Sequence, residues 1–289
     1  MYEHSPLLKA VMQNIEKYSD KAAVVMNGNT VSYGDLGKNI RKAAGVLKSM
    51  GIHAGDRIIL SAHKDVEYLY LYFGAHILGV TNVIVDAEAN EERLHYIEKK
   101  INPVCCFGYE SNHFAFKQFD ELNLDKADEL ISIDLNINES DIAEILFTTG
   151  TTGAPKGVCL SYYNIYSSAS NINKYIGNQV DDVELLGLPI CHSFGLGRVR
   201  CTLLKGATIV ILSNFANVRT FLKTIEQYKV TGFGVVPAAW AYIRKVSGTR
   251  ITQYSNQIRY IEIGSSVMPL NVKMEMLKMF PNTRICMHY

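Results

Sequence analysis

The sequence predicts an α/β fold in which mainly parallel sheets are covered by helices. Three observations carry this reading. Short β-branched apolar runs alternate with amphipathic stretches along most of the chain. The segments joining them are short, and the amphipathic stretches are long enough to be the crossover helices that parallel strands need. The chain has 289 residues, 48% hydrophobic and 20% charged, which is enough for a large core in one domain or two interleaved lobes and argues against disorder.

Taken in order, residues 22–26 (AAVVM) and 30–33 (TVSY) flank Asn27-Gly28-Asn29, a hairpin signal. A helix is predicted over 35–50, with Gly51 as its stop. Residues 57–62 (RIILSA) read as a strand, 65–78 as a helix and 82–85 (NVIV) as a strand. Residues 91–100 form a predicted helix ended near Pro103, and 104–107 (VCCF) a further strand. Residues 109–139 are polar and aperiodic and read as an exposed connection. The alternation then resumes: strands at 207–212, 231–236 and 259–264, and helices at 218–228, 238–246 and 272–279. No internal repeat or low-complexity tract interrupts it.

Composition excludes several classes of function. Lys plus Arg number 29 and Asp plus Glu 28, a net charge of +1, so no overall basic field draws nucleic acid. The six cysteines include no C-x-x-C pair. They read as reduced, buried thiols of a cytoplasmic protein, and no Cys/His quartet has zinc-ligand spacing. The first residues carry no secretory pattern. The apolar span 68–85 is long enough to cross a membrane, but it holds His76, two glycines and a Thr81-Asn82 break, and a buried helix followed by a buried strand explains it better.

One stretch fits none of these elements: ILFTTGTTGAPKGV, residues 145–158. An apolar strand runs into a bend holding Thr148, Thr149, Gly150, Thr151, Thr152 and Gly153, followed by Lys156. The glycines allow backbone conformations and close approaches that side chains block. Threonine hydroxyls and successive N–H groups form a concave donor set for an anion, and the lysine adds positive charge. This suits a polyphosphate; a polar hairpin turn is the alternative. The usual phosphate loop has lysine directly after its second glycine and then Ser or Thr, whereas Lys156 here follows Pro155 and precedes Gly157. G-x-G-x-x-G is also absent from this stretch.

The string TTGTTGAPKGV closely resembles the signature loop of the adenylate-forming superfamily: acyl- and aryl-CoA synthetases, nonribosomal peptide synthetase adenylation domains and firefly luciferase. Asp141-Ile142-Ala143 resembles the lead-in to its signature strand. LLGLPICHSFGL (185–196) is similar to the family's Leu-Pro…His-x-x-Gly-Leu segment, KGATIVI to the strand after it, and VTGFGVVPAAW to a segment lining the acyl pocket. IGSSVMPL (263–270) resembles the segment beside the bound adenine, and the final MHY the start of a Tyr-Gly-x-Thr-Glu motif.

The resemblance implies a layered αβαβα N-terminal adenylation domain over residues 1–289, truncated, with the C-terminal lid domain absent. It implies an ATP-dependent carboxylate–thiol ligase that forms an acyl-adenylate and then an acyl thioester. Thr148 to Thr152 would donate to the β- and γ-phosphates, Lys156 would cover the leaving pyrophosphate, and Mg2+ would bridge the phosphates. His192 would lie at the carboxylate end of the acyl pocket; without the motif, a satisfied interior histidine is the alternative. Cys191 and His192 form a poor nucleophilic pair if they are neighbours on a strand, because their side chains would point to opposite faces. Gly264, Ser265 and Ser266 would pass along the adenine, or form a strand-to-helix turn with serine as N-cap, and Tyr289 would stack on the ring. Phe194, Val235, Val236, Ala238 and Trp240 are candidate lining residues of the acyl pocket.

Two positions depart from the family pattern: Val267 stands where a proline is common, and Tyr162 where a histidine is usual. The family's downstream Thr-Glu, ribose-binding aspartate, hinge and C-terminal lysine have no counterpart before Tyr289. The expectation is therefore a fragment inactive on its own, with uncovered surface that favours self-association. The expected partners are a carboxylic acid and, as thiol acceptor, coenzyme A or the phosphopantetheine of an acyl carrier protein, with neither nucleic acid nor a membrane span. The alternative is a non-catalytic nucleotide-binding or interaction module.

Overall fold

The computed structural model describes residues 2–131, 133, 135–148 and 155–288. In chain order the elements are α1 (Pro6–Lys17), β1 (Ala22–Met26), β2 (Asn29–Ser32), α2 (Tyr33–Ser49), β3 (Arg57–Ser61), α3 (Val66–Leu78), β4 (Thr81–Val85), α4 (Glu91–Ile101), β5 (Cys105–Phe107) and β6 (Phe116–Lys117). They continue with β7 (Ile142–Phe147), β8 (Gly157–Ser161), α5 (Tyr162–Ile176), β9 (Val183–Leu186), α6 (Ser193–Lys205), β10 (Thr208–Ile211), α7 (Val218–Tyr228), β11 (Gly232–Val235), α8 (Pro237–Ser247), β12 (Tyr260–Ile263), α9 (Leu270–Met279) and β13 (Arg284–Met287). The predicted alternation is present, and the chain divides into two units interleaved along the sequence.

The first unit comprises Met1–Lys21, Ser32–Ser168 and Ile190–Ser193. Its sheet runs β6-β5-β3-β4-β7-β8. β3, β4, β5, β6 and β7 pair in parallel, while β8 turns back antiparallel on β7. The local signals explain the helices. Asn90 caps α4 by accepting from the Arg93 N–H at 2.9 Å, with Glu91 and Glu92 in the first turn and Lys99 and Lys100 in the last, so that both ends match the helix dipole. Every residue of α3 from Tyr68 to Leu78 is buried, which accounts for the membrane-like hydropathy of this stretch. Among the described residues no helix is long and apolar enough to cross a membrane.

Most described residues of 109–139 are exposed or half-buried, as expected of a connection, but the segment is anchored rather than loose. Although polar, the segment packs on α2: Arg41 pairs with Glu129 at 2.8 Å, the Leu130 N–H donates to the Arg41 carbonyl at 3.0 Å, and Leu122 is buried. Backbone and ion-pair contacts, which leave no apolar period in the sequence, hold it in place. The cysteines also differ in part: five are buried and Cys159, on β8, is exposed, while all six are free.

The second unit comprises Ala22–Val31, Ala169–Pro189 and Phe194–Tyr289. Its sheet runs β13-β12-β11-β9-β10-β1-β2, with parallel pairing from β1 through to β13. The hairpin leading into β2 turns on Asn27 and Gly28, with φ of 52° and 81°, the left-handed pair that an Asn-Gly turn supplies. α6 lays Arg198 against the sheet. Its guanidinium donates to both carboxylate oxygens of Glu184 at 2.9 and 2.7 Å and lies 3.0 Å from Glu262 in an ion pair, while the Tyr260 hydroxyl donates to Glu184. Burial opposes the charge on Arg198, but Glu184 foremost among its neighbours reverses this and holds it protonated well above its ordinary range. On α9 the apolar side chains Leu270, Met274 and Leu277 are exposed, as is Val267 just before it.

Candidate functional site

In the first unit the carboxyl ends of β4 and β7 lie side by side, since Asn82 to Ile84 pair with Glu144 to Leu146. Ligands of open α/β sheets bind at such ends. A cavity of about 640 Å³ opens there, lined by Ile84 and Val85 of β4, Asp86 directly after that strand, Phe147 from β7, Pro155, and Cys191 and His192. The remaining wall is α4, through Glu92, Arg93, Tyr96 and Ile97, and the turn before it, which adds Glu88. Its floor is therefore apolar and its rim charged.

The two stems of the threonine-glycine bend meet at this cavity. The Thr148 N–H donates to the Lys156 carbonyl at 2.9 Å, and the Lys156 N–H returns a bond to the Thr148 hydroxyl at 3.2 Å. α4 holds both stems from the side: Arg93 donates to the Thr148 carbonyl at 3.1 Å and the Tyr96 hydroxyl to the Pro155 carbonyl at 3.2 Å. The Lys156 side chain is exposed, as a mobile cation should be. Thr149, Gly150, Thr151, Thr152 and Gly153 at the tip lie outside the described residues, as does Tyr289.

The segment around His192 differs from the expectation. Cys191 and His192 occupy a turn before α6 rather than a strand, so their side chains do not diverge. Donor atoms of Asp86, Cys191 and His192 all lie within 4.8 Å of one another. Burial, and then the Asp86 carboxylate that accepts its S–H, push the Cys191 thiol up to about 12. Burial and the neighbouring carboxylate thus oppose formation of the nucleophilic thiolate. Lys64 is half-buried in the same unit, and burial draws its ammonium down to about 8. Asp86, Arg93 and Tyr96 were absent from the sequence reading. The one signal available was the acid directly after an apolar run, NVIVD.

In the second unit Gly264 follows β12, and a Cβ at this position would lie 2.2 Å from His288 Nε2. In this structure the His288 ring occupies the space that a side chain at this position would take. His288 in turn pairs with Glu262 at 3.0 Å and meets the Phe194 ring edge-on. Ser265 is exposed with φ of +73°, a left-handed conformation that costs a non-glycine residue about 1–3 kcal/mol and gathers at ligand sites. Ser266 is exposed beside it. Neither serine caps α9, whose N-cap is Pro269. Of the acyl-pocket candidates, Val235 is fully buried in β11, and Trp240 is buried edge-on against Phe280; both are core residues of this unit. Tyr162, in the first unit, is fully buried and meets the rings of His4 and His76 edge-on.

Residues 11–289 match the AMP-binding enzyme family. The chain belongs to that family. Similar AMP-binding enzymes include 4-coumarate–CoA ligase 1 of Petroselinum crispum, 27% identical across 99% of this chain and 57% of that protein. The 4-coumarate–CoA ligase of Vanilla planifolia is 28% identical across 98% of this chain and again 57% of its own length. The chain therefore spans under two thirds of these relatives. Among solved structures, an inhibitor-bound N-terminal domain from Mycobacterium tuberculosis superposes with a TM-score of 0.88 at 22% identity, covering 99% of this chain and 75% of that one. The o-succinylbenzoate CoA synthetase of Bacillus subtilis, solved with ATP and a magnesium ion, gives 0.82 at 23% identity over 93% of this chain and 57% of its own. These likenesses establish the two-sheet α/β fold.

Proposed function

We propose that this chain is the N-terminal adenylation portion, residues 1–289, of an ATP-dependent carboxylate–thiol ligase. The observation that carries the reading is the clasp between Thr148 and Lys156 at the carboxyl end of β7, opening on a cavity that also holds His192. N–H groups and threonine hydroxyls in such a bend, with the exposed Lys156 ammonium at its end, suit a phosphate chain.

In this reading a carboxylate attacks the α-phosphate of ATP and pyrophosphate leaves. Thr148 to Thr152 hold the β- and γ-phosphates, and Lys156 offsets the charge that builds on the leaving group. Magnesium, when bound, would supply a hard cation to the phosphates; of the cavity residues, Asp86, Glu88 and Glu92 offer the carboxylate oxygens that could hold it, while the Cys191 sulfur does not suit it. His192 orients the acid. Gly264, Ser265, Ser266 and Tyr289 line the adenine. The apolar floor suits an aryl or acyl acid, and the acceptor is coenzyme A or a carrier-bound phosphopantetheine, the former in keeping with the names of the similar ligases. The exposed Val267, Leu270, Met274 and Leu277 favour self-association of the chain on its own.

The test joins the chain to its natural downstream sequence and traps acyl-adenylates with hydroxylamine across a panel of carboxylic acids. An acid-dependent hydroxamate is expected, and Lys156→Ala should lower kcat by roughly 100-fold, the loss typical of one transition-state donor. His192→Ala should act mainly on KM for the acid. The isolated 289-residue chain should give no acid-dependent pyrophosphate exchange. Full turnover by Lys156→Ala would remove the bend from the chemistry and the proposal with it.

A further inference from the structure

A second set of chemistry-bearing side chains lies in the first unit, outside the cavity lining. His95 and Glu98 are one turn apart on α4, and His113 comes from the segment after β5. Their donor atoms all lie within 4.8 Å of one another. The two imidazoles meet at 4.5 Å between centroids, tilted by 48°. Both histidines are exposed, whereas Glu98 is only 3% exposed.

Glu98 is a buried carboxylate without a cation. It accepts from the Tyr109 hydroxyl at 3.0 Å and from the Cys106 thiol at 3.9 Å, both on Oε1, so Oε2 takes neither bond. Among the described residues no Lys, Arg or His lies within ion-pair distance of it. Burying a carboxylate costs several kcal/mol unless a positive charge answers it. Two imidazoles brought together beside such a group, with no hydrogen bond to either ring among the described residues, leave one economical partner for all three.

We propose that His95, Glu98 and His113 bind a divalent transition-metal ion, zinc first. Zinc takes imidazole nitrogen and carboxylate oxygen at about 2.0–2.2 Å, so two donors on one ion lie at most about 4.4 Å apart. The observed spacing therefore needs only small side-chain rotations. Magnesium and calcium, which prefer all-oxygen sets, fit poorly. Tyr109 and Cys106 hold the ligating carboxylate from behind, as outer partners of metal ligands do. Zinc-ligand spacing in the sequence does not reveal this set, because folding alone brings the third ligand in. The ion would tie α4, whose Arg93 and Tyr96 hold the stems of the threonine-glycine bend, to the segment after β5.

The test is zinc binding by the metal-stripped 289-residue chain, followed by chelator competition, with cobalt(II) as the spectroscopic probe. One equivalent should bind at about micromolar Kd or tighter, with cobalt d–d bands and no thiolate charge-transfer band. His95→Gln and His113→Gln should each weaken zinc by more than about 100-fold, beyond the roughly 10–100-fold that an outer partner contributes. Both side chains are exposed, so these variants should match the parent in circular dichroism and in melting without zinc. His192→Gln should leave the affinity unchanged, which separates this site from Asp86, Cys191 and His192. No saturable binding below about 100 μM zinc, or binding that tracks His192 instead, would overturn the proposal.

Discussion

The two units bury acidic side chains in opposite ways. In the second unit Glu184 and Glu262 share the Arg198 guanidinium, with the Tyr260 hydroxyl completing one carboxylate. In the first, Glu98 has a phenol and a thiol for company and two histidines nearby. A buried charge that its own chain neutralises is scaffold; a buried charge left for something else to neutralise marks a site. Burial alone does not separate the two cases, since all three glutamates are at most 3% exposed.

The largest expected effect breaks the scaffold side of this contrast. Arg198→Met leaves Glu184 buried without its cation and Glu262 with only the His288 imidazole, and should cost about 3–5 kcal/mol, the usual penalty for removing one partner of a buried pair. Glu98→Gln, measured without metal, removes a charge that had no ion-pair partner and should be neutral or stabilising. Urea unfolding of both variants reads the difference. A loss of several kcal/mol in Glu98→Gln would mean that the first unit neutralises this carboxylate after all, and the contrast would fail.

A smaller effect is expected at Gly264. An added Cβ would overlap the His288 ring at 2.2 Å and force it from Glu262. Overpacking of this kind costs about 1–3 kcal/mol, and the half-exposed ring can swing outward, so Gly264→Ala should fall at the low end. The His288 imidazole NMR signals should shift with the lost ion pair. Unchanged signals would show that the backbone after β12 yields instead of the ring.

Elements whose evidence is local were legible in the sequence. Residues 218–228 were readable as a helix because their apolar period is clean, and α7 (Val218–Tyr228) begins after an Asn217 cap that accepts from the Thr220 N–H. The hairpin at Asn27-Gly28 and the strand running into the threonine-glycine bend were equally plain. What depends on tertiary approach was not. Residues 109–139 dock through Glu129 and the Leu130 backbone, contacts without periodicity. Cys191 and His192 read as strand neighbours with diverging side chains, yet a turn gathers them with Asp86. The Arg198 network had a faint trace, a glutamate inside each of the apolar runs VELL and YIEI, but its cation arrives from another element. Of the candidate site, the clasp residues could be read from the motif, while Asp86 in the cavity and the helix whose Arg93 and Tyr96 hold the clasp could not.

Lys64 tests whether burial in the first unit weighs on a cationic side chain. Burial lowers Lys64 from 10.5 to about 8, with Cys191 pulling weakly the other way. Below about pH 8 the folded and unfolded chains both hold this proton, and the group contributes no pH dependence. Between about 8 and 10.5 the unfolded chain binds more of it, so stability rises with pH across that window. The urea midpoint of the parent chain should therefore gain on that of Lys64→Met from pH 8 to pH 10, because the variant has no ammonium to lose. Taking the difference between the two chains cancels the tyrosines and other lysines that titrate in the same range. A parallel pair of curves would mean that Lys64 keeps its ordinary proton affinity in the folded chain, and that its burial does not weigh on its charge.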